Sequence, residues 1–148
     1  MSRMRTLAGE PWAVWKILAD FGLLSAWARN VDHSCLLEHG EGDGGVGVGT
    51  SRRVQVGHNT LVERITDFEP EKTLGYDIEG LPLLVRRAAN YWTLEAAAPG
   101  FTAVTVTSTV KIGTNPAANI AERAMCRLMT KQSEEMLAGL ARRVEGGR

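Results

Sequence analysis

Residues 101–112, FTAVTVTSTVKI, alternate without interruption: Val104, Val106, Ser108, Val110 and Ile112 share one face, and Thr105, Thr107, Thr109 and Lys111 the other. A period of two in a β-branched run predicts an antiparallel strand with one buried and one wetted face. The preceding NYWTLEAAAPG (90–100) predicts the other arm of a hairpin about Pro99-Gly100, with Tyr91, Thr93 and Glu95 facing inward. Beyond Asn115-Pro116 the period changes. From about residue 117 to 145 there is no Pro and only Gly139, and Ile120, Ala124, Leu128, Leu137, Leu140 and Val144 recur at helical spacing. At 1.5 Å per residue this helix is about 40 Å long, enough to cross a whole sheet.

Working back toward the start, RMRTLAG (3–9) predicts a first strand, and Pro11 suits the first turn of a helix. Trp12, Trp15, Leu18 and Phe21 lie at helical intervals, and a break at Gly22 divides residues 11–31 into two short helices. VDHSCLLEH (31–39) then puts Val31, His33, Cys35, Leu37 and His39 on one strand face. GVGTSRRVQV (47–56) and LVERITDFEP (61–70) read as a hairpin with His58-Asn59 in the turn, which makes Arg52 and Glu63 diagonal neighbours on one face. LGYDIEG (74–80) groups Leu74, Tyr76 and Ile78. The order is a strand, two short helices, about six antiparallel strands and one long terminal helix. This is an α+β domain spanning residues 1–148, with a curved sheet of about seven strands around the C-terminal helix.

Bulk composition narrows the function. A chain of 148 residues can bury one sizeable core. Its 17 basic and 17 acidic side chains cancel, so a nucleic-acid partner gains no electrostatic support. No run of 18 apolar residues spans a bilayer, and MSRMRTLAGEPWAVW holds no uninterrupted apolar signal-type segment, so a cytoplasmic protein without membrane insertion is expected. Cys35 and Cys126 have no metal-type spacing and read as two buried thiols.

Glu63 stands between Leu61 and Ile65 on the apolar face of its strand. A carboxylate there is costly to desolvate unless it is paired, protonated or beside a wet cavity. A curved sheet wrapped round a helix leaves interior space that small side chains such as Ser108, Ala88 and Thr93 do not fill. Glu63, Arg52, Tyr91 and His33 are therefore the candidates for orienting a ligand or for acid/base work. The bland alternative is an internal Arg52–Glu63 pair.

In order and spacing, VWKILADFGLLSAW (14–27), VGTSRRV (48–54), LVERI (61–65), GYDI (75–78), NYW (90–92) and EEMLAGLARRVEG (134–146) resemble the polyketide cyclase/dehydrase branch of the START-like (SRPBCC) superfamily. That branch has the helix-grip fold, shared with the birch pollen allergen and the plant abscisic acid receptors. The resemblance implies that Glu63 points into a ligand cavity, that Tyr91 lines it, and that Val54, Val56, Tyr76 and Ile78 face it. It places Met125 and Met129 over the cavity, and sets Ala28 where the receptors have a ligand-binding lysine. Trp27, Leu61, Ile65, Thr93 and Val106 complete the expected wall.

Three functions are carried forward. The first is binding of a small hydrophobic molecule, with no cofactor. The second is a polyketide aromatase/cyclase or dehydrase using Glu63 or His33 as base and Tyr91 as acid. The third is an interaction module with a collapsed cavity. Two other motifs carry less. His33, Cys35 and His39 lack a fourth metal ligand, and G-x-G-x-x-G at Gly42, Gly44 and Gly47 precedes a strand rather than a helix. GLPLLVRRAAN (80–90) is open to three roles: a lid, a homodimer contact or a continuing strand.

Overall fold

A computed structural model describes residues 1–40, 45–81, 85–113 and 116–146. Seven strands form one antiparallel sheet in the order β1-β7-β6-β5-β4-β3-β2. They are β1 Ser2–Ala8, β2 His33–Glu38, β3 Ser51–Val56, β4 Asn59–Glu69, β5 Thr73–Glu79, β6 Val85–Ala96 and β7 Phe101–Ile112. Helix α1 (Pro11–Ala19) and a 3₁₀ segment (Phe21–Ala26) follow β1, and helix α2 (Pro116–Gly146) ends the described chain.

The expected alternation of β7 holds. Val104, Val106, Ser108, Val110 and Ile112 are buried, and β1 pairs with the same strand, so the chain start lies beside the last strand. Helix α2 runs along β7 and β1 and meets α1. Its carboxylates fasten it there: Glu122 accepts from the Ile112 N–H (2.9 Å), Glu134 from Arg3 Nε (2.9 Å) and Glu145 from the Ala8 N–H (3.0 Å). Leu137, Leu140, Ala141 and Val144 join Leu7, Val14, Leu18 and Trp92 in the main core. The core is therefore concentrated under the C-terminal half of α2.

Two registers differ from the sequence expectation. The β6–β7 connection has three residues, Ala98 to Gly100, because the Ala97 N–H bonds the Phe101 carbonyl (3.0 Å) and Gly100 takes φ +83°. Relative to a two-residue turn this slips β6 by one position, and in a strand one position exchanges the faces. Ala88, Asn90, Trp92 and Leu94 are buried, while Tyr91 and Glu95 are exposed and Thr93 is half-buried. In the β3–β4 hairpin the turn residues are Gly57 and His58, one position earlier than expected. That shift of two in the register keeps the faces and makes Arg52 and Glu63 direct cross-strand partners.

Other expectations fail at the periphery. Strand β2 is an edge, and His33, Cys35 and Leu37 are exposed. Its inward contacts come from the opposite face, where the Ser34 hydroxyl donates to the Gly22 carbonyl (2.9 Å) and Leu36 packs on Gly22. Cys126 is half-buried, so neither thiol is a core residue. Trp12, Ile120 and Leu128 are exposed, and Val14 takes the buried place expected of Trp12. Residues 85–90 continue β6, whereas Pro82, Leu83 and Leu84, like Gly42 and Gly44, lie outside the described residues.

Candidate functional site

Between the sheet and the middle of α2, from Met125 to Met136, lies a cavity of about 160 Å³. Strands β3, β4 and β5 supply Val54, Val56, Leu61, Glu63 and Ile78, and α2 supplies Met125, Met129 and Met136, all as wall residues. Of the fourteen sequence-expected ligand residues, seven therefore border it: Val54, Val56, Leu61, Glu63, Ile78, Met125 and Met129.

The other seven stand elsewhere. Ile65, Tyr76 and Val106 are buried in the core, outside the cavity wall. Trp27 packs edge to face on Trp92, with ring centroids 6.3 Å apart, and lines a separate surface depression. Thr93 and Tyr91 are carried off by the β6 slip. Tyr91, 41% exposed, lies on the outer face, where its ring covers Gly75 directly across the ladder. His33, an acid/base candidate outside those fourteen, is exposed on the β2 edge. The proposed acid/base trio of Glu63, His33 and Tyr91 is not assembled, because strand pleating and the edge position send two of the three to the outside.

Arg52, the seventh, is buried behind Glu63 and outside the cavity wall. Its Nε and Nη2 both meet Glu63 Oε1, at 2.8 and 2.7 Å, and Nη1 donates to the Phe21 carbonyl at 2.9 Å. The guanidinium also lies 3.7 Å from the centroid of the Phe21 ring and 4.8 Å from that of Tyr76. The pair is thus locked between strand and 3₁₀ segment, with its two charges cancelling. All Arg52 contacts with Glu63 fall on Oε1, and among the described residues no hydrogen bond reaches Oε2.

Sequence reasoning placed Glu63 and Ser108 inward but missed the other polar residues of the wall. Asn90 and Ser108 border the cavity with Ser133 of α2. The Ser108 hydroxyl donates to Asn90 Oδ1 (2.6 Å) and contacts Ser133 Oγ (3.2 Å), while Asn90 Nδ2 and Trp92 Nε1 both donate to the Tyr76 hydroxyl (3.3 Å each). Burial holds the Tyr76 phenol above its ordinary value, and the Glu63 charge adds to that. It therefore serves as a neutral strut beneath the wall. Asn30 and Gln132 form a second polar group, Asn30 Nδ2 donating to Gln132 Oε1. Asn30 Oδ1 is buried without a partner among the described residues. Correct placement of the β6 turn would have exposed Asn90 from sequence; Asn30 and Gln132 carry no local signal.

Among the described residues, no group of three or more His, Cys, Asp or Glu side chains could hold a metal ion. No described helix is long and apolar enough to cross a membrane.

Comparison with known proteins agrees with this architecture. The profile of the family described as "Polyketide cyclase / dehydrase and lipid transport" matches residues 1–145. The Zhui aromatase/cyclase from Streptomyces sp. R1128 superposes with a TM-score of 0.80 at 18% identity, over 98% of this chain and 92% of that one. A START superfamily protein from Mycobacterium smegmatis gives 0.79 at 14% identity, over 100% and 98%. Ara h 8.0201 gives 0.74 at 19% identity, over 99% and 97%. At these identities the structures share a fold. No curated protein sequence matches the chain.

Proposed function

The chain belongs to the polyketide cyclase/dehydrase and lipid transport family, and from that premise we propose that it binds a small hydrophobic molecule in the cavity between its sheet and α2. The observation that carries the proposal is a cavity walled chiefly by Val, Leu, Ile and Met, with one buried carboxylate, Glu63, whose charge Arg52 already balances. Such a site suits an apolar body with a few oriented polar groups. The three methionines supply adaptable contacts from the helix side. Turnover by Glu63 with His33 and Tyr91 draws no support from this geometry, because those two side chains stand outside the cavity.

The test is native mass spectrometry of protein purified gently from its own host, followed by denaturing release of any bound molecule. A stoichiometric apolar adduct, lost in a cavity-filling Leu61→Trp variant that still folds, is the expected result. A clean unliganded mass, unchanged after challenge with a mixed lipid and polyketide extract, would overturn the proposal and favour an interaction module.

A further inference from the structure

The cavity is small and its polar atoms are unevenly matched. An engineered cavity of about 150 Å³ lined by aliphatic and aromatic side chains holds benzene, and the cavity here measures about 160 Å³. One ring with short substituents fills it, and a chain of a dozen or more carbons does not.

Among its described wall residues Glu63 is the one charged side chain, and Arg52, the nearest cation, is spent on Glu63 Oε1 and the Phe21 carbonyl. An anionic occupant would therefore meet a carboxylate and no free cation. The hydroxyls and amide of Ser108, Asn90 and Ser133 are engaged with one another and with Tyr76. Apart from Asn59, which is exposed beside the β3–β4 turn, two places remain for an occupant. Glu63 Oε2 is an acceptor with no hydrogen bond from the described residues. At the Asn30–Gln132 pair, Asn30 Oδ1 is a buried acceptor without a partner, and Gln132 Nε2 is a donor. Turning both amides exchanges these roles and still leaves one donor and one acceptor. The two places lie on different walls, Glu63 on β4 and Gln132 on α2.

Building on the binding function above, we infer that the preferred occupant is an uncharged, single-ring-sized molecule carrying two hydrogen-bond donors such as hydroxyls, one for Glu63 and one for the Asn30–Gln132 pair, and that carboxylates and long chains are rejected. Supply of a hydroxyl to Oε2 makes a charge-assisted bond, the stronger kind.

Calorimetric titration with four probes tests this: 4-hydroxybenzyl alcohol, toluene, 4-methylbenzoate and 1-dodecanol. The diol should bind about tenfold or more tightly than toluene, as one charge-assisted and one neutral hydrogen bond imply, and 4-methylbenzoate and 1-dodecanol should bind more weakly than the diol. Tighter binding of 4-methylbenzoate or 1-dodecanol would overturn the inference and leave cavity binding standing. No binding of any probe would remove both.

Glu63→Gln should lower the diol's advantage over toluene, but it leaves Arg52 unpaired and can unfold the protein. The double variant Asn30→Leu with Gln132→Leu keeps the ion pair, and it should reduce that advantage several-fold while toluene still binds. An undiminished advantage in this variant would overturn the inference.

Discussion

Glu63 lies directly across the β3–β4 ladder from Arg52, 2.7 Å from its guanidinium, with both side chains more than nine-tenths buried. Removing one partner strands a charge in the core, which typically costs about 3–5 kcal/mol, whereas replacing both by apolar residues of similar volume is often close to neutral. Arg52→Met and Glu63→Leu should each lower stability by about that amount, and the double variant should recover most of the loss. A double-mutant cycle by urea denaturation measures this, and additive losses would show that the pair is not coupled.

Tyr76 should give the protein an alkaline limit. Its folded value lies above the ordinary 10.0, through burial first and the Glu63 charge second, with Arg52 and the bonds from Trp92 and Asn90 pulling the other way. Between the unfolded and folded values the native state holds a proton that the unfolded chain releases. This contribution is therefore complete below about pH 10 and is lost as pH rises through the folded value. Stability measured against pH should fall above pH 10, and Tyr76→Phe should flatten that decline. An unchanged decline would assign it to other groups.

Tyr91 should matter to the sheet and not to the cavity. Its ring sits where a Cβ on Gly75 would approach to 2.7 Å. Loss of this cross-strand cover in Tyr91→Ala should cost about 0.5–1 kcal/mol, while Tyr91→Phe should be neutral. Probe affinity should change less than twofold in either variant. A large loss of affinity in Tyr91→Phe would place the phenol at the site after all.

These two tyrosines show where the sequence was legible. Alternation in residues 101–112, the helical span after Asn115-Pro116 and the shared face of Arg52 and Glu63 were readable because they depend on local period or on pairing across a short turn. The Tyr91 placement depended on whether one turn held two residues or three, and Gly100 at positive φ decided it. The same one-residue slip hid Asn90. Exposure of His33 and Cys35 follows from the register of β2 on β3, which pairs them with Gln55 and Arg53 on the outer face and turns Ser34 and Leu36 inward, and alternation alone does not say which of two faces is inner. Asn30 and Gln132 meet across 102 positions, beyond the reach of spacing arguments.

Gly139 should resist the usual stabilising exchange. Alanine in a helix interior is ordinarily about 1 kcal/mol better than glycine. Here a Cβ would run into the Trp27 carbonyl, so α2 would have to move away from the segment after the 3₁₀ turn. Gly139→Ala should therefore destabilise by about 1–3 kcal/mol, measured as a lower urea midpoint. A raised midpoint would show that the contact can relax.

Helix α2 is anchored unevenly: Leu137, Leu140, Ala141 and Val144 are buried, while Met125 and Met129 are half-buried and Ile120 and Leu128 are exposed. Local opening needs less free energy where fewer apolar contacts are broken. Amide protons should thus exchange progressively faster toward the N-terminal turns, and the cavity-lining span from Met125 to Met136 joins the weakly held part of the helix to the firmly held one. On the proposed binding function, the residence time of an occupant should then follow the opening rate of the turn from Met125 to Met129 and not the melting temperature, so variants of equal thermal stability should release it at very different speeds.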